Sequence, residues 1–280
     1  MAEPVWDGTG TDPWMPRRLA AQAEAVVGER TVFDDYLARL SRWLVMTRRA
    51  VMRSPITDPD AIWALMPAWA ESMTEFVHST IADLIGTAYR KLLGPGYIYS
   101  QRPHVTAYLA EAQNRLLNVP NQVYDRIVGE IAEGAGMGEG MPQIAKRVEE
   151  MFSLTNTPYW PNRAVVVART ESMAALNAGR SGAFKAVAEE LGDPFEQGWL
   201  ATTVGPAAAT TRPTHLAADI GTPITGQRVP VGTPFLVGGF WLDQPGDPSA
   251  PINETAQCRC GTVLLRPGED LDLSDRQMIR

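Results

Sequence analysis

The chain has 280 residues, of which 45% are hydrophobic and 20% are charged, a balance typical of a folded globular protein rather than a disordered one. Its formal net charge of −7 disfavours a general nucleic-acid coat, which needs clustered cations to neutralise phosphates. No run approaches the roughly 20 apolar residues that span a membrane, and the N-terminus lacks the pattern of a signal peptide. We therefore expect a chain made in the cytoplasm without membrane contact.

The first half of the chain carries helical periodicity behind an N-terminal arm rich in proline and glycine. Apolar residues recur every three to four positions around Tyr36, which predicts an amphipathic helix that ends before Pro55. Pro59 follows a capping aspartate and favours a second helix start, with the helix running towards Gly94 and a kink near Pro67. Further helices are predicted at residues 104–118 and 120–133.

The glycine-rich segment at residues 134–140 is the predicted domain boundary. We expect residues 1–136 to form a helical, partner-binding domain that includes the loose arm, and residues 137–280 to form a second domain. Beyond residue 192, helical periodicity gives way to Gly, Pro, Thr and Val. The predicted elements there are helices at residues 142–152 and 162–191 and strands at 196–202, 234–241 and 260–265. The expected fold class is a mainly α N-terminal half followed by a small α+β C-terminal domain.

Two stretches of the first half are candidate partner surfaces. Five arginines lie at residues 39–53 with no acid between them: Arg39, Arg42, Arg48, Arg49 and Arg53. A solvated helix face is the favoured interpretation, and contact with DNA or a partner protein is the alternative. The aromatic-rich stretch at residues 60–76 is the second candidate, although such a stripe is more often core than interface.

Three side chains of the second half are of the types that bind zinc: His215, Cys258 and Cys260. A disulfide between residues two apart would close a small, strained ring, so reduced thiols, metal ligands or core packing are expected. Asp219 is the nearest oxygen donor for a fourth ligand. Because structural zinc sites usually carry two cysteine pairs, packed thiols with a hydrogen-bonded histidine are favoured, and zinc is the alternative.

A nucleophilic Cys–His pair would be the enzymatic interpretation of the same residues. Cys258 and Cys260 lead into a β-type run, and no glycine-rich elbow precedes them. A phosphate-binding loop of the Gly-x-x-x-x-Gly-Lys-Ser/Thr kind is also absent from the sequence. We therefore expect no catalytic residues, and no cofactor unless the cluster binds zinc.

Polar residues in the predicted helix at residues 162–191 are candidates for tertiary contacts. Arg169 and Glu171 are two apart and face different directions, and we predict that one of them attaches the helix to the C-terminal β region. Thr170 and Asn177 are seven apart and lie on one stripe, which suits a polar interface with a turn or loop.

Several short motifs follow one another along residues 137–265. They are Ala168-Arg169-Thr170-Glu171 with Asn177 and Gly179, Gln197-Gly198-Trp199, Thr211-Arg212-Pro213-Thr214-His215 with Gly221, Gly246-Asp247-Pro248, and Cys258-Arg259-Cys260. In this order they resemble the MuF-like head morphogenesis family, the minor capsid proteins of tailed phages. One departure is that the acidic residue of the family pattern before Arg212 is missing here.

The resemblance implies a structural minor head protein of a tailed bacteriophage, placed in the virion capsid after assembly in the host cytoplasm. It implies binding to the portal protein and a role in procapsid assembly or DNA delivery, with the scaffold or the major capsid protein as further candidate partners. Some members carry a C-terminal toxin domain, whereas this chain ends about 20 residues after Cys260, which favours the minimal structural form. The alternative is a metal-dependent or cysteine hydrolase acting on capsid components or DNA.

Overall fold

The computed structural model describes residues 15–53, 58–94, 103–153, 159–203, 208–222 and 224–266. The predicted N-terminal arm lies outside these ranges. The described part is mainly helical, with short antiparallel strands towards its C-terminal end, which confirms the predicted fold class. None of the described helices is long and apolar enough to cross a membrane.

Seven longer helices precede the strands in the described part of the chain. They are α1 (Met15–Val51), α2 (Met66–Phe76), α3 (Ala82–Leu93), α4 (Pro103–Leu117), α5 (Val119–Gly136), α6 (Met141–Met151) and α7 (Tyr159–Leu191). Two short helices, α8 (Pro213–Ala218) and α9 (Ile252–Thr255), lie among the strands.

The predicted kink at Pro67 is wrong, because a helix begins there instead. Pro67 lies in the first turn of α2, where its missing N–H removes no intrahelical hydrogen bond. The preceding turn, Pro59–Leu65, is a 3-10 helix, and the Asp58 side chain caps it by accepting a hydrogen bond from the Asp60 N–H at 3.1 Å. A π-helical turn, Val77–Ile81, joins α2 to α3.

Buried indole rings fix the positions of the helices around α7. Trp43, Trp69 and Trp160 are at most 2% exposed. Each still donates its ring N–H to a backbone carbonyl, of Leu65 at 3.1 Å, Leu116 at 2.9 Å and Met151 at 2.8 Å respectively. The rings thus contribute apolar contact area without an unsatisfied donor.

The apolar stripe at residues 60–76 is core and not a partner surface. Ile62, Trp69, Met73 and Phe76 are all 0% exposed and belong to the large helical core. This candidate surface was therefore wrong, and the helix packs inward as amphipathic helices of globular proteins do.

The glycine-rich segment at residues 134–140 forms the end of α5 and the turn into α6. Across this turn, Arg147 forms ion pairs with Glu130 at 3.2 Å and with Glu139 at 3.1 Å. The large core takes side chains from both sides of the turn, from Val32 to Ala183. Packing is therefore continuous here, while the division into residues 1–136 and 137–280 stays a prediction about folding units.

The described residues of the C-terminal part form two small antiparallel sheets. The strands are β1 (Glu196–Leu200), β2 (Arg228–Pro230), β3 (Phe235–Val237), β4 (Phe240–Leu242) and β5 (Gly261–Leu265). β1 lies between β2 and β5, and β3 pairs with β4. The predicted run at residues 234–241 is thus a hairpin, which turns at Gly238 and Gly239 with φ values of 60° and 86° that favour glycine.

Candidate His–Cys–Cys site

The His–Cys–Cys cluster (His215, Cys258 and Cys260) forms where α8, α9 and the start of β5 meet. His215 lies on α8, and the two cysteines lie between α9 and β5. Gln257, just before them, has a φ of 56°, so the chain turns sharply into the Cys-Arg-Cys segment. Both cysteines are free thiols.

The three side chains of the cluster lie close together and are buried, as we expected from the sequence. The His215 Nδ1 lies 3.4 Å from the Cys260 Sγ and 3.5 Å from the Cys258 Sγ. One donor atom from each residue falls within 4.8 Å of the other two. All three residues are at most 4% exposed, so bulk water does not separate them.

A carboxylate that the sequence did not single out orients the histidine. The Glu254 Oε2 lies 3.2 Å from the His215 Nε2, on the opposite side of the ring from the sulfurs. The hydroxyl of Thr214 donates a hydrogen bond to the same oxygen at 3.0 Å. Trp199 packs edge-on against the imidazole, with ring centroids 5.3 Å apart. The ring is therefore held between an acid, an indole and two sulfurs.

Asp219 is not a member of the cluster, so the prediction of it as a fourth ligand was wrong. Its carboxylate accepts hydrogen bonds from the backbone N–H of Ala201 at 2.6 Å and of Gly221 at 2.9 Å. It thus fixes the turn after α8. Gly221, which the sequence placed in the motif series, contributes through its backbone.

The two thiols do not ionise alike. A hydrogen bond from the Cys260 thiol lowers the pKa of Cys258, and the nearby Arg212 guanidinium lowers it further. The same hydrogen bond and burial raise the pKa of Cys260. Cys258 is therefore the sulfur that loses its proton first.

A cavity of about 250 Å³ opens beside the cluster, with all three of its residues in the wall. Three arginines also line it: Arg169, Arg212 and Arg259. Arg259 forms an ion pair with Glu29 of α1 at 2.8 Å. Arg212 donates to the Ala256 carbonyl at 2.7 Å, and Arg169 to the Gln257 side chain at 3.3 Å. Arg212 and Arg169 thus fix the chain just before the cysteines, and Arg259 attaches the Cys-Arg-Cys segment to α1.

Polar side chains of α7 bind the cysteine segment to this helix. The side-chain amide of Asn177, which is 0% exposed, donates to the carbonyls of Pro245 at 3.1 Å and Cys260 at 2.8 Å. The Thr170 hydroxyl accepts from the Gln257 N–H at 3.0 Å. The two residues thus lie on one face of α7, against loops.

Glu171 points elsewhere, so attachment to the β region comes from its neighbours. Its carboxylate forms an ion pair with Arg115 of α4 at 2.8 Å. Burial raises the pKa of Glu171, against the opposing effect of Arg115. This residue therefore connects two helices of the core.

The arginines at residues 39–53 comprise one buried and four exposed members. Arg39 is 8% exposed and forms ion pairs with Asp35 and Glu75, both at 2.8 Å. Arg48 forms an ion pair with Glu149. Arg42, Arg48, Arg49 and Arg53 are exposed. The predicted solvated face therefore holds for these four arginines, while Arg39 was wrongly included.

The fold and the cluster together define a mainly helical α+β protein with a buried His–Cys–Cys group beside α7. Comparisons of the chain with protein-family models, with curated proteins and with solved structures found no match. The resemblance to MuF-like proteins therefore rests on the motif residues themselves.

Proposed function

We propose that the chain is a structural minor head protein of a tailed bacteriophage, assembled in the host cytoplasm and located in the virion capsid. It binds the portal protein and takes part in procapsid assembly or DNA delivery. The order of motifs along residues 137–265 supports this proposal. Part of that series forms the His–Cys–Cys cluster, and the other motif residues lie on α7 and α8, in β1 and in turns of the C-terminal part.

The observation that carries the proposal is how the polar motif residues are used. Thr170 and Asn177 bond to the backbone around the cysteine segment, and Arg212 and Arg259 bond to it or fix it from the other side. Residues engaged in holding two parts of a fold together serve its rigidity. Such rigidity lowers the entropic cost of binding a partner, which favours an assembly role.

An exposed stripe on α1 is the surface that we assign to the portal. The α1 stripe consists of Arg42, Val45, Met46 and Arg49, which follow one another at helical spacing and therefore share a face, and of Arg53 in the turn that follows the helix. Val45 and Met46 are 50% and 41% exposed. Cations around exposed apolar side chains suit a partner surface that is acidic at its rim and apolar at its centre.

Co-purification with the portal protein tests this function. The wild-type chain should associate with the portal ring, and the charge-reversed double variant Arg42→Glu/Arg49→Glu should lose most of that association. Arg30→Glu is the matched control, because Arg30 lies on the same helix, outside the stripe, with its side chain 88% exposed. If the wild-type chain did not associate, or if the control lost as much as the double variant, the assignment would fail.

A cysteine or metal-dependent hydrolase is the second candidate, and one feature favours it. Glu254, His215 and Cys258 follow one another as acid, imidazole and thiol, with separations of 3.2 and 3.5 Å, which is the order of an orienting acid, a base and a nucleophile. Cleavage of capsid proteins or DNA by the wild-type chain, lost in a folded Cys258→Ser variant, would support the hydrolase over the assembly protein.

A further inference from the structure

We propose that His215, Cys258 and Cys260 bind one Zn²⁺ ion, with a fourth coordination position that faces the neighbouring cavity. The donor set is one imidazole nitrogen and two thiolates, which zinc accepts readily in three-ligand sites with an open position. The proposal depends on the geometry of the cluster and is independent of the portal assignment.

The spacing of the donor atoms fits a tetrahedral ion. With Zn–N near 2.0–2.1 Å and Zn–S near 2.3 Å, tetrahedral angles place the nitrogen and each sulfur roughly 3.6 Å apart. The observed separations from the His215 Nδ1 are 3.4 Å to Cys260 and 3.5 Å to Cys258. One cation could therefore contact all three donors with little movement of the side chains.

The carboxylate of Glu254 sets the histidine in the form that binds a metal. An imidazole that donates its Nε2 proton to a carboxylate presents the Nδ1 lone pair on its other side. Here that lone pair faces both sulfurs. It can accept a hydrogen bond from only one of the two thiols at a time. A carboxylate, a histidine and a metal in this order form a common outer-shell arrangement of zinc sites.

The backbone that carries the sulfurs is fixed by bonds that do not involve the cluster. Asn177 holds the carbonyl of Cys260, Thr170 holds the N–H of Gln257, and Arg212 holds the carbonyl of Ala256. Ligands already held in place lose little conformational entropy when they bind an ion. The same buried setting would make two unpaired thiolates costly, and Zn²⁺ would neutralise both.

Metal analysis of the full chain tests the proposal. Protein purified from zinc-supplemented medium should contain one zinc per chain. After removal of the metal under reducing conditions, titration with Co²⁺ should give a thiolate-to-cobalt charge-transfer absorption that saturates at one equivalent. His215→Gln and Cys258→Ser should lose this binding, and Glu254→Gln should weaken it by about 10- to 100-fold.

His78→Gln is the matched control, since His78 is exposed on a helix of the other part of the chain, and it should bind as the wild type does. A wild-type chain that takes up no stoichiometric zinc, or a cobalt complex without the thiolate band, would overturn the proposal. Equal metal content in control and cluster variants would also overturn it. The wild-type cobalt spectrum decides even if a cluster variant does not fold.

Discussion

Asn177 connects α7 to the Cys258–Cys260 segment through a hydrogen bond of its side chain. Its amide is buried, donates to two carbonyls from separate stretches of chain, and accepts a hydrogen bond from Arg180 at 3.0 Å. Sequence position alone could place it on a stripe with Thr170, since seven residues make two helical turns. The identity of its acceptors depends on tertiary structure.

Replacing Asn177 by alanine should lower the free energy of unfolding by about 2–4 kcal/mol, because three hydrogen bonds are lost and buried carbonyls are left unsatisfied. Urea unfolding followed by circular dichroism measures the change. Asn162→Ala is the matched control, an exposed asparagine on the same helix, and should be near neutral. Similar losses in both variants would show that the contacts of Asn177 with the loops contribute little.

The sequence predicted which side chains form the candidate site. It did not predict which residues surround them. Two cysteines two apart and a motif histidine suffice to propose His215, Cys258 and Cys260 as neighbours. Glu254 lies 39 residues from His215 along the chain and carries no local signal, so only the fold reveals it as the orienting acid. Asp219 was chosen for its proximity in sequence, and it faces the backbone of a turn instead.

At the scale of elements, α3 and α7 approach each other closely at Gly179. A Cβ there would lie 2.6 Å from the Ile85 carbonyl oxygen and 2.7 Å from the Ala88 Cβ. Gly179→Ala should therefore push the helices apart and reduce stability by about 1–3 kcal/mol. Thermal and urea unfolding would measure the loss.

Gly129→Ala is the matched control for this substitution and should change stability in the opposite direction. Gly129 lies exposed within α5, with no atom within 4 Å of an added Cβ. Alanine at such a position removes flexibility from the unfolded chain and should stabilise the protein by about 0.5–1 kcal/mol. A stabilising Gly179→Ala would contradict the close packing of α3 and α7.

Helices with an apolar stripe were predictable because their periodicity extends over several turns, and α7 and α5 were found near their predicted positions. The 3-10 turn before α2 and the π-helical turn after it were not predictable from the sequence, because both are local departures from α-helical geometry imposed by packing. β2 has three residues, too few for an alternating pattern, and it exists through its pairing with β1. Likewise, the sequence predicted one strand at residues 234–241, where the structure has the two strands β3 and β4 of a hairpin.

At the scale of the whole molecule, charge sets what the protein can bind by itself. The net charge is −7, which repels a polyanion. Within the arginine-rich segment at residues 39–53, Arg39 and Arg48 are engaged in ion pairs. The α1 stripe therefore offers about three cations to phosphates, too few for tight binding by counterion release.

We expect the isolated chain to shift duplex DNA weakly at low salt and not at all near 0.15 M, where surface charges are screened within about 8 Å. A mobility-shift series over ionic strength measures this, and three phosphate contacts should give a slope of log K against log salt of about −3 or shallower. Arg42→Glu/Arg49→Glu should abolish the residual shift, whereas Arg30→Glu should reduce it less. Tight, salt-resistant DNA binding needs a cationic groove, which the α1 stripe does not provide. If the chain bound DNA in this way and did not associate with the portal, the nucleic-acid hydrolase would be favoured instead.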